Sequence, residues 1–239
     1  MSILSKIFYS KPLFPLRISL RKQSVLMSVT DFLIANTIRK FNGADMRVMR
    51  VVYCLEQTKS LSDPIAECGV GSGYSMAYIL TYLMRTKDTR NYFGFDTFEG
   101  FPFIHPEDLV GLPENRKSVS VVGRYKEFGL GHHEKTVARL GAESIAKFHK
   151  GLFDDTIPTL PGNLKFSFVF MDCDLYQSYK SCLSVMYSRV VSGGIILFDE
   201  YEHVIDWPGA KKAIDEFFVD KPEKPQQLPF GTSWMVRKI

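Results

Sequence analysis

Short apolar runs alternate with amphipathic segments along most of the chain. Residues 44–58 place Met46, Met49, Val52 and Leu55 at helical spacing on one face, which predicts a helix. The same analysis predicts strands at 64–68, 91–96, 164–172 and 195–200 and helices at 75–86, 132–147, 178–190 and 208–218. Strands that alternate with helices and are apolar almost throughout are typical of a parallel sheet with helices on both faces. The sequence therefore predicts an α/β fold with a doubly wound, mostly parallel sheet.

Three further segments complete this pattern. Residues 144–151, SIAKFHKG, overlap the end of a predicted helix and are also predicted as a third strand. Ser192-Gly193-Gly194 predicts a turn before the strand at 195–200. The tail alternates apolar and polar residues on both sides of a turn, in QQLPF and then TSWMVRK, which predicts a terminal antiparallel hairpin.

Acidic residues stand at the carboxyl ends of the predicted strands. They are Glu67, Asp96, Asp172, Asp174, Asp199 and Glu200. In an open α/β sheet ligands bind beyond these strand ends, so the acids are expected around one crevice. Asp172 and Asp174 are two residues apart, and in extended backbone both would point to the same side. Strand ends that simply emerge into water are the alternative explanation.

Composition places the chain among soluble single-domain proteins. It has 239 residues, of which 45% are hydrophobic and 23% charged, and this is ordinary for a globular domain. No apolar run approaches the roughly 18 residues that a membrane helix needs. The four cysteines, Cys54, Cys68, Cys173 and Cys182, form no CxxC pair and no zinc-type spacing. They indicate buried thiols in a reducing compartment, so we expect a cytoplasmic protein without a membrane partner.

The net charge of +4 comes from the N-terminal residues. Residues 1–30 hold five Lys or Arg and no acid, which leaves 25 basic and 26 acidic residues in the remainder. A neutral body argues against a nucleic-acid partner. Pro12 and Pro15 interrupt the arm and argue against a signal-peptide core, whereas a transit peptide remains an alternative. We expect residues 1–43 to form a basic lid or docking arm and residues 44–239 to form the main domain.

A glycine-rich turn, ECGVGSGYS, follows the first predicted strand. Glycines at 69, 71 and 73 allow a tight turn and the close approach of a ligand. A dinucleotide fingerprint would need a later glycine where Tyr74 or Met76 stands, and the Gly-Lys-Ser/Thr of a phosphate-binding loop is absent. The spacing Glu-x-Gly-x-Gly-x-Gly resembles the first motif of S-adenosylmethionine-dependent methyltransferases. Simple turn chemistry remains an alternative.

Asp96 ends the second predicted strand, 29 residues after Glu67. An acid at this position can accept hydrogen bonds from both hydroxyls of a nucleoside ribose. A cap of a turn or helix is its alternative role.

Five motifs occur in a fixed order: ECGVGSGYS, FGFDTFEGFP, GLFDDTIPTLP, FVFMDCDLYQS and GGIILFDEY. Together they resemble the macrocin O-methyltransferase family over roughly residues 60–220. The resemblance implies the Rossmann-like, seven-stranded methyltransferase sheet with a reversed last strand. It also implies S-adenosylmethionine as methyl donor, Mg²⁺ beside it, and a sugar hydroxyl as acceptor.

The resemblance also implies a role for each site residue. The donor's methionine part would be held by Glu67, Gly69, Gly71, Ser72, Gly73 and Ser75. Its ribose would contact Asp96, Thr97 and Phe98, and its adenine Gly151 and Leu152. The metal would be bound by Asp172, Asp199 and Glu200, with Asp174 as general base. The pair Asp199-Glu200 departs from the family's usual Asp-Asp or Glu-Asp. Whether Asp174 is the base or a metal ligand stays open.

The acids suit this chemistry because an alkyl hydroxyl is a poor nucleophile and a nearby divalent cation lowers its pKa. We therefore expect an enzyme that is an S-adenosylmethionine- and Mg²⁺-dependent O-methyltransferase acting on a sugar or glycosylated small molecule. A catechol- or phenol-type O-methyltransferase and a non-catalytic donor-binding module are the alternatives. A homo-oligomer is compatible with each of them.

Other residues carry weaker expectations. His132 and His133 are expected to face solvent near a helix start, and His203 is a candidate to line the site. Among the aromatic residues, only those between Phe98 and Phe103 are expected to reach the acceptor.

Overall fold

The computed structural model describes residues 46–203, 206–229 and 233–239. The expected basic arm, residues 1–43, lies outside the described residues. Of the predicted hairpin, the turn at 230–232 also lies outside them.

One seven-stranded sheet forms the centre of the molecule, with strands in the order β3-β2-β1-β4-β5-β7-β6. The strands are β1 Ile65–Cys68, β2 Tyr92–Asp96, β3 Ala146–Lys150, β4 Phe166–Met171, β5 Val190–Phe198, β6 Gln226–Gln227 and β7 Trp234–Arg237. Strands β1 to β5 are parallel to one another. Strand β7 is antiparallel to its two neighbours, β5 and β6. This confirms the predicted fold, including the terminal hairpin.

Helices cover both faces of this sheet. They are α1 Met46–Gln57, α2 Tyr74–Thr86, α3 Leu130–Leu140, α4 Phe153–Thr156, α5 Tyr176–Met186 and α6 Pro208–Phe218. Short 3-10 turns occur at Pro106–Leu109, Glu114–Val119, Ile157–Thr159 and Tyr187–Arg189. Buried side chains of α1, α2 and α3 pack in one core cluster, and those of α5 and α6 pack in another. Neighbouring residues of one strand alternate between the two clusters, as pleated strands require; Phe168 and Val169 of β4 are an example.

The register aligns the carboxyl ends of the central strands. Cys68 of β1 pairs with Phe95 of β2 and Met171 of β4, and Met171 pairs with Phe198 of β5. The residues that follow these four positions therefore emerge at one level of the sheet. This alignment is what brings the glycine turn and the acidic residues to a common edge.

Several element boundaries differ from the predictions, most clearly at the ends of α3 and α5 and at the start of β5. Helix α3 ends at Leu140, because Gly141 adopts a left-handed conformation and closes the last turn; the predicted helix at 132–147 is wrong beyond that point. The chain enters the 3-10 turn Tyr187–Arg189 at the end of α5, and Val190 already belongs to β5.

The predicted turn at 192–194 is a bulge within β5. Phe166 pairs with Val190 but Phe168 pairs with Ile195, so β5 advances five residues while β4 advances two. A Cβ on Gly194 would lie 2.9 Å from the carbonyl oxygen of Ser167, which explains the need for glycine there.

Among the described residues, no helix is long and apolar enough to cross a membrane.

Asp108 joins the long loop after β2 to two helices. Its Oδ1 accepts a hydrogen bond from the backbone N–H of Tyr176 at 2.7 Å, and its Oδ2 accepts one from His105 N at 3.0 Å. Asp108 is 1% exposed, and a Cβ on Gly209 of α6 would lie 2.2 Å from its Oδ1. The carboxylate therefore caps the first turn of α5 from a distant segment and holds the loop against α6.

Asp108→Ala should destabilise the fold. The substitution leaves the buried N–H of Tyr176 without an acceptor, at about 1–3 kcal/mol, and removes the acceptor of the partly buried N–H of His105 as well. Glu107→Ala is the control, since Glu107 pairs with Lys212 at the surface, with both side chains partly exposed, and such pairs contribute up to about 1 kcal/mol. Urea unfolding of both variants measures the difference, and equal stabilities would contradict the capping role.

Candidate active site

A cleft opens at the carboxyl edge of the parallel strands. It is lined by the glycine turn, Asp96 and Thr97, the segment 151–154, and Asp172 to Asp174. A further part of the lining comes from the loop between β2 and α3. Eight of the sequence-predicted site residues are in this lining: Gly69, Gly71, Asp96, Thr97, Gly151, Leu152, Asp172 and Asp174. The predicted residues outside it are Glu67, Ser72, Gly73, Ser75, Phe98, Asp199 and Glu200.

The glycine turn is shaped by close packing on one side and open space on another. Gly69, Gly71 and Gly73 all have positive φ, at +89°, +52° and +80°. A Cβ on Gly69 would lie 1.9 Å from the carbonyl oxygen of Asp172, whereas a Cβ on Gly71 would meet no atom within 4 Å. The turn therefore packs against the end of β4 at Gly69 and leaves room beside Gly71. Gly73 precedes α2, whose first turn leaves N–H groups available to a ligand.

Asp96 organises this turn. Its Oδ2 accepts hydrogen bonds from Val70 N at 2.9 Å and Gly71 N at 3.0 Å, and its Oδ1 accepts one from Phe98 N at 2.7 Å. Thr97 Oγ1 also lies 3.4 Å from Oδ1, but its single proton has a shorter bond, 2.7 Å, to the carbonyl oxygen of Gly100. Oδ2 has two short bonds and Oδ1 only one, so Oδ1 is the oxygen with remaining acceptor capacity. The sequence predicted that the Asp96 carboxylate accepts hydrogen bonds from two ribose hydroxyls. In the structure most of its acceptor sites are already used by backbone N–H groups of the glycine turn and of Phe98.

The other predicted donor residues differ in access. Ser72 is exposed and Ser75 half-buried, and Leu152 is 40% exposed at the rim, so these side chains can meet a ligand. Phe98 is 4% exposed and packs edge-to-face on Phe148, with ring centroids 5.7 Å apart. Its side chain belongs to the core rather than to the cleft.

Glu67 is completely buried under the turn. The Tyr92 hydroxyl donates to its Oε2 at 2.5 Å, and its Oε1 has no hydrogen-bond partner among the described residues. Burial raises the pKa of Glu67 well above its ordinary value. Glu67 does not line the cleft, but it places an unsatisfied buried oxygen beneath it.

Three acids form a cluster suited to a metal ion. One carboxylate oxygen each from Asp172, Asp174 and Glu200 lie within 4.8 Å of one another. Asp174 has a φ of +59°, so its backbone is left-handed and not extended. The prediction that extended backbone directs Asp172 and Asp174 to the same side is therefore wrong. The left-handed turn at Asp174 brings its carboxylate to the cluster instead.

The cluster is electrostatically unfavourable as it stands. Burial raises the pKa of Asp172, and burial together with the charge of Asp172 raises the pKa of Asp174 and Glu200 well above the ordinary range. A divalent cation between the three carboxylates would relieve both effects, because it favours their ionised forms. Carboxylate oxygens are also the ligand type that Mg²⁺ prefers. The residues present therefore fit the expected metal.

Asp199 has a different partner. It forms an ion pair with Arg50 of α1, which is 5% exposed. Arg50 also donates to Ser233 Oγ at 3.1 Å, and its guanidinium carbon lies 5.8 Å from the centroid of the Phe170 ring. Burial lowers the pKa of Arg50, and the charges of Asp172 and Glu200 oppose that change. The positive charge of Arg50 was missed in the sequence analysis. The sequence feature that could have identified it is an arginine beside Val51 on the buried face of an amphipathic helix.

The structure corrects the prediction that His133 faces solvent and does not place His203 in the cleft. His133 is fully buried, not solvent-facing, because its position in α3 is four residues before the buried Val137 on the same helix face. A Cβ on Gly73 would lie 2.7 Å from His133 Nδ1, so the ring supports the glycine turn from behind. His203 is exposed and is not part of the cleft lining.

Comparisons with known proteins add to this geometry. The model of the family described as Macrocin-O-methyltransferase (TylF) matches residues 44–224, more than half of the chain.

Two curated relatives also match. A demethyldecarbamoylnovobiocin O-methyltransferase from Streptomyces niveus is 27% identical over 185 residues, covering 72% of this chain and 64% of the relative. An 8-demethyl-8-(2,3-dimethoxy-alpha-L-rhamnosyl)-tetracenomycin-C 4'-O-methyltransferase from Streptomyces olivaceus is 26% identical over 168 residues, covering 65% and 60%. In both cases the match spans less than two thirds of the relative's length.

Solved structures share the fold. The calicheamicin methyltransferase CalS11 has a TM-score of 0.69 at 20% identity and covers 97% of this chain and 95% of its own. The O-methyltransferase NovP has a TM-score of 0.61 at 20% identity, covering 80% and 79%.

Gly71→Val should remove donor binding while the protein still folds. The new side chain enters open space in the protein, at a cost of about 1–3 kcal/mol for a positive φ. A ligand seated on the turn would then meet it. We expect calorimetry with S-adenosylhomocysteine to show a loss of affinity of about tenfold or more, equivalent to 1.4 kcal/mol.

Gly69→Ala is the contrasting variant. Its methyl group would overlap the Asp172 carbonyl oxygen, so this change should lower the melting temperature strongly. Unchanged affinity for S-adenosylhomocysteine in Gly71→Val would contradict a ligand site on the turn.

Proposed function

Because the chain belongs to the macrocin O-methyltransferase family, we propose that it is an S-adenosylmethionine- and Mg²⁺-dependent O-methyltransferase acting on a hydroxyl of a sugar or glycosylated small molecule. The observation that carries this proposal is the cluster of Asp172, Asp174 and Glu200, of which Asp172 and Asp174 line the same cleft as the glycine turn and Glu200 lies buried beside them. The names of the two curated relatives specify O-methylation of a novobiocin derivative and of a rhamnosyl tetracenomycin. CalS11 is described as a TDP-rhamnose 3'-O-methyltransferase. These names support a glycosylated acceptor.

We further propose that residues 44–239 form the catalytic domain and residues 1–43 an arm attached to it. The family match begins at residue 44, which supports this boundary.

The donor would lie across the glycine turn. We propose that Gly69, Gly71, Ser72, Gly73 and Ser75 hold its methionine part, that Asp96 and Thr97 hold the ribose, and that Gly151 and Leu152 lie against the adenine. The open space beside Gly71 and the acceptor capacity of Asp96 Oδ1 support the first two assignments. Glu67 would interact with the donor's amino group through Oε1, which has no hydrogen-bond partner among the described residues. Phe98 would contribute its backbone and support the loop from the core.

We assign Asp172 and Glu200 as metal ligands, because both residues belong to the set expected from the family and to the acid cluster in the structure. The geometry favours Asp174 as the third member, since Asp199 is paired with Arg50. The alternative set expected from the family replaces Asp174 with Asp199, which would have to share its carboxylate with Arg50.

The chain's own residues would then act in sequence. The glycine turn binds the donor, and the acids orient the acceptor hydroxyl beside it. When bound, Mg²⁺ supplies positive charge that lowers the pKa of the hydroxyl, and S-adenosylmethionine supplies the methyl group. Asp174 accepts the proton: it lines the cleft beside Asp172, and its carboxylate is in the ionised form that a bound cation favours.

Methyl transfer to a glycosylated acceptor tests the function directly. We expect purified protein to transfer the methyl group of S-adenosylmethionine to at least one member of a panel of rhamnosylated compounds, to lose turnover in excess EDTA, and to recover it with Mg²⁺. Full activity in EDTA would remove the metal from the mechanism. Transfer to catechol but to no glycoside would favour the phenol-type alternative.

Asp174→Asn tests the proton acceptor. The change keeps the shape of the side chain and removes its charge, so kcat should fall by roughly 10²–10⁴-fold while S-adenosylhomocysteine binds normally. If Asp174 is also a metal ligand, its affinity for Mg²⁺ falls in the same variant. Wild-type turnover would exclude both roles.

The pair Arg50 and Asp199 allows the two metal sets to be distinguished. Asp199→Asn alone should weaken Mg²⁺ binding in either case, because it removes a ligand or leaves the buried Arg50 charge uncompensated. The double variant Arg50→Gln/Asp199→Asn removes both charges. Calorimetric Mg²⁺ affinity should return to near the wild-type value if Asp199 only neutralises Arg50. Affinity that stays as low as in Asp199→Asn would show that Asp199 is a ligand.

A further inference from the structure

The cleft has a second group of residues besides the acids. Phe101, Arg124 and Tyr125 line it together with Asp172 and Asp174, and they come from the loop between β2 and α3. None of the three is needed for donor or metal binding in the proposed function. They are half-buried, so their side chains remain accessible from the cleft.

These residues pack into one wall with Trp207, which we call the aromatic–arginine wall. The Phe101 ring stands edge-to-face on Tyr125 at 5.6 Å and on Trp207 at 5.8 Å between centroids. The guanidinium carbon of Arg124 lies 4.9 Å from the Tyr125 centroid and 5.9 Å from the Trp207 centroid. Contacts with two aromatic rings restrict the guanidinium plane to a narrow range of orientations.

The backbone also fixes the position of Arg124. Phe101 N donates to Arg124 O at 3.1 Å, and Gly123 N donates to Phe101 O at 2.9 Å. Gly100 has a φ of +83°, and a Cβ there would lie 2.4 Å from Arg124 O. The two segments can therefore approach only because residue 100 is glycine, and this approach places Arg124 on the cleft.

Arg124 keeps unused hydrogen-bonding capacity. In the described part of the chain Arg124 forms no ion pair, and its buried Nε has no hydrogen-bond partner. Its guanidinium interacts with the Tyr125 hydroxyl, where it opposes the rise in pKa that burial causes. Arg90, by contrast, donates to Asp88, Thr58, Ser167 and Leu55. The positive charge of Arg124 still acts on Asp174, where it opposes the effects of burial and of the Asp172 charge. Arg124 is thus close to the proposed reaction centre without being neutralised there.

We infer that Arg124 binds the acceptor, donating from its planar fork to two adjacent oxygens of a sugar ring whose apolar face rests on Phe101 and Tyr125. This inference rests on the proposed function and deepens it. A guanidinium can reach two neighbouring oxygens at once, which a lysine ammonium cannot. Aromatic faces provide the apolar contact that the C–H side of a pyranose needs.

The acid cluster favours a neutral ligand at Arg124. A phosphate beside Asp174 would add negative charge to a region where three carboxylates, two half-buried and one buried, already exceed the charge of one divalent cation. Sugar hydroxyls accept from a guanidinium without that penalty. The ligand of Arg124 is therefore the sugar itself rather than a phosphate attached to it.

The test compares Arg124→Gln and Arg124→Lys with Lys126→Gln. Lys126 is exposed on the same loop and is not part of the cleft lining, so its variant removes one positive charge without touching the wall. Ligand-observed NMR titrations would use protein saturated with S-adenosylhomocysteine and Mg²⁺. The probes are methyl α-L-rhamnopyranoside as a neutral sugar and TDP-rhamnose as a sugar that carries phosphate.

We expect Arg124→Gln to weaken binding of both probes by about tenfold or more, the effect of losing charge-assisted bonds worth at least 1.4 kcal/mol. Arg124→Lys should restore little of this loss, and Lys126→Gln should match the wild type. Affinity for S-adenosylhomocysteine should be the same in all four proteins.

Three results would overturn the inference. They are equal sugar affinity in Arg124→Gln and the wild type, no binding of either probe to the wild type, and a loss in Arg124→Gln that is confined to TDP-rhamnose. The last result would assign Arg124 to phosphate. Failure of the wild type to bind S-adenosylhomocysteine would instead contradict the proposed function itself, so the two failures are distinguishable.

Discussion

Repulsion among buried carboxylates at one edge of the sheet is the constraint on which the rest of the site depends. The register of β4 and β5 contributes to it: Met171 pairs with Phe198, so the segments that follow both strands, with Asp172, Asp174 and Glu200, emerge at the same edge. Asp172, Asp174 and Glu200 then lie within 4.8 Å of one another with raised pKa values. Such an arrangement lowers stability unless positive charge is placed among the acids. The cluster of three carboxylates therefore lowers the stability of the fold but creates a site that attracts cations.

The chain supplies part of that positive charge from outside the sheet. Arg50 approaches from α1 and pairs with Asp199, and Arg124 approaches from the loop after β2 and acts on Asp174. Among the described residues, neither guanidinium forms an ion pair with Asp172 or Glu200. The proposed divalent cation would lie among these carboxylates. The same negative field favours a positively charged methyl donor in the neighbouring turn.

The sequence predicted the fold because it follows from local patterns, and the proposed site residues were read from the same patterns. Apolar strands that end in acids, and glycines directly after β1, are visible without coordinates, and five ordered motifs made the family resemblance specific. The boundaries that failed depend on tertiary contacts: the bulge in β5 arises from its pairing with β4, and His133 is buried because α3 packs behind the glycine turn. Arg50 and Arg124 were missed for the same reason, since long-range packing brings them to the acids.

Asp96 shows how positioning and binding are combined in one side chain. Two of its three backbone hydrogen bonds go to Val70 and Gly71, so the acid at the end of β2 holds the turn at the end of β1. The backbone of Asp96 also accepts from Gly151 N at 3.0 Å, which ties β3 to the same point. Three strand ends are thus fixed relative to one carboxylate. Because its bonds are made before any ligand arrives, the donor cleft is organised in advance, and little ordering entropy remains to oppose binding.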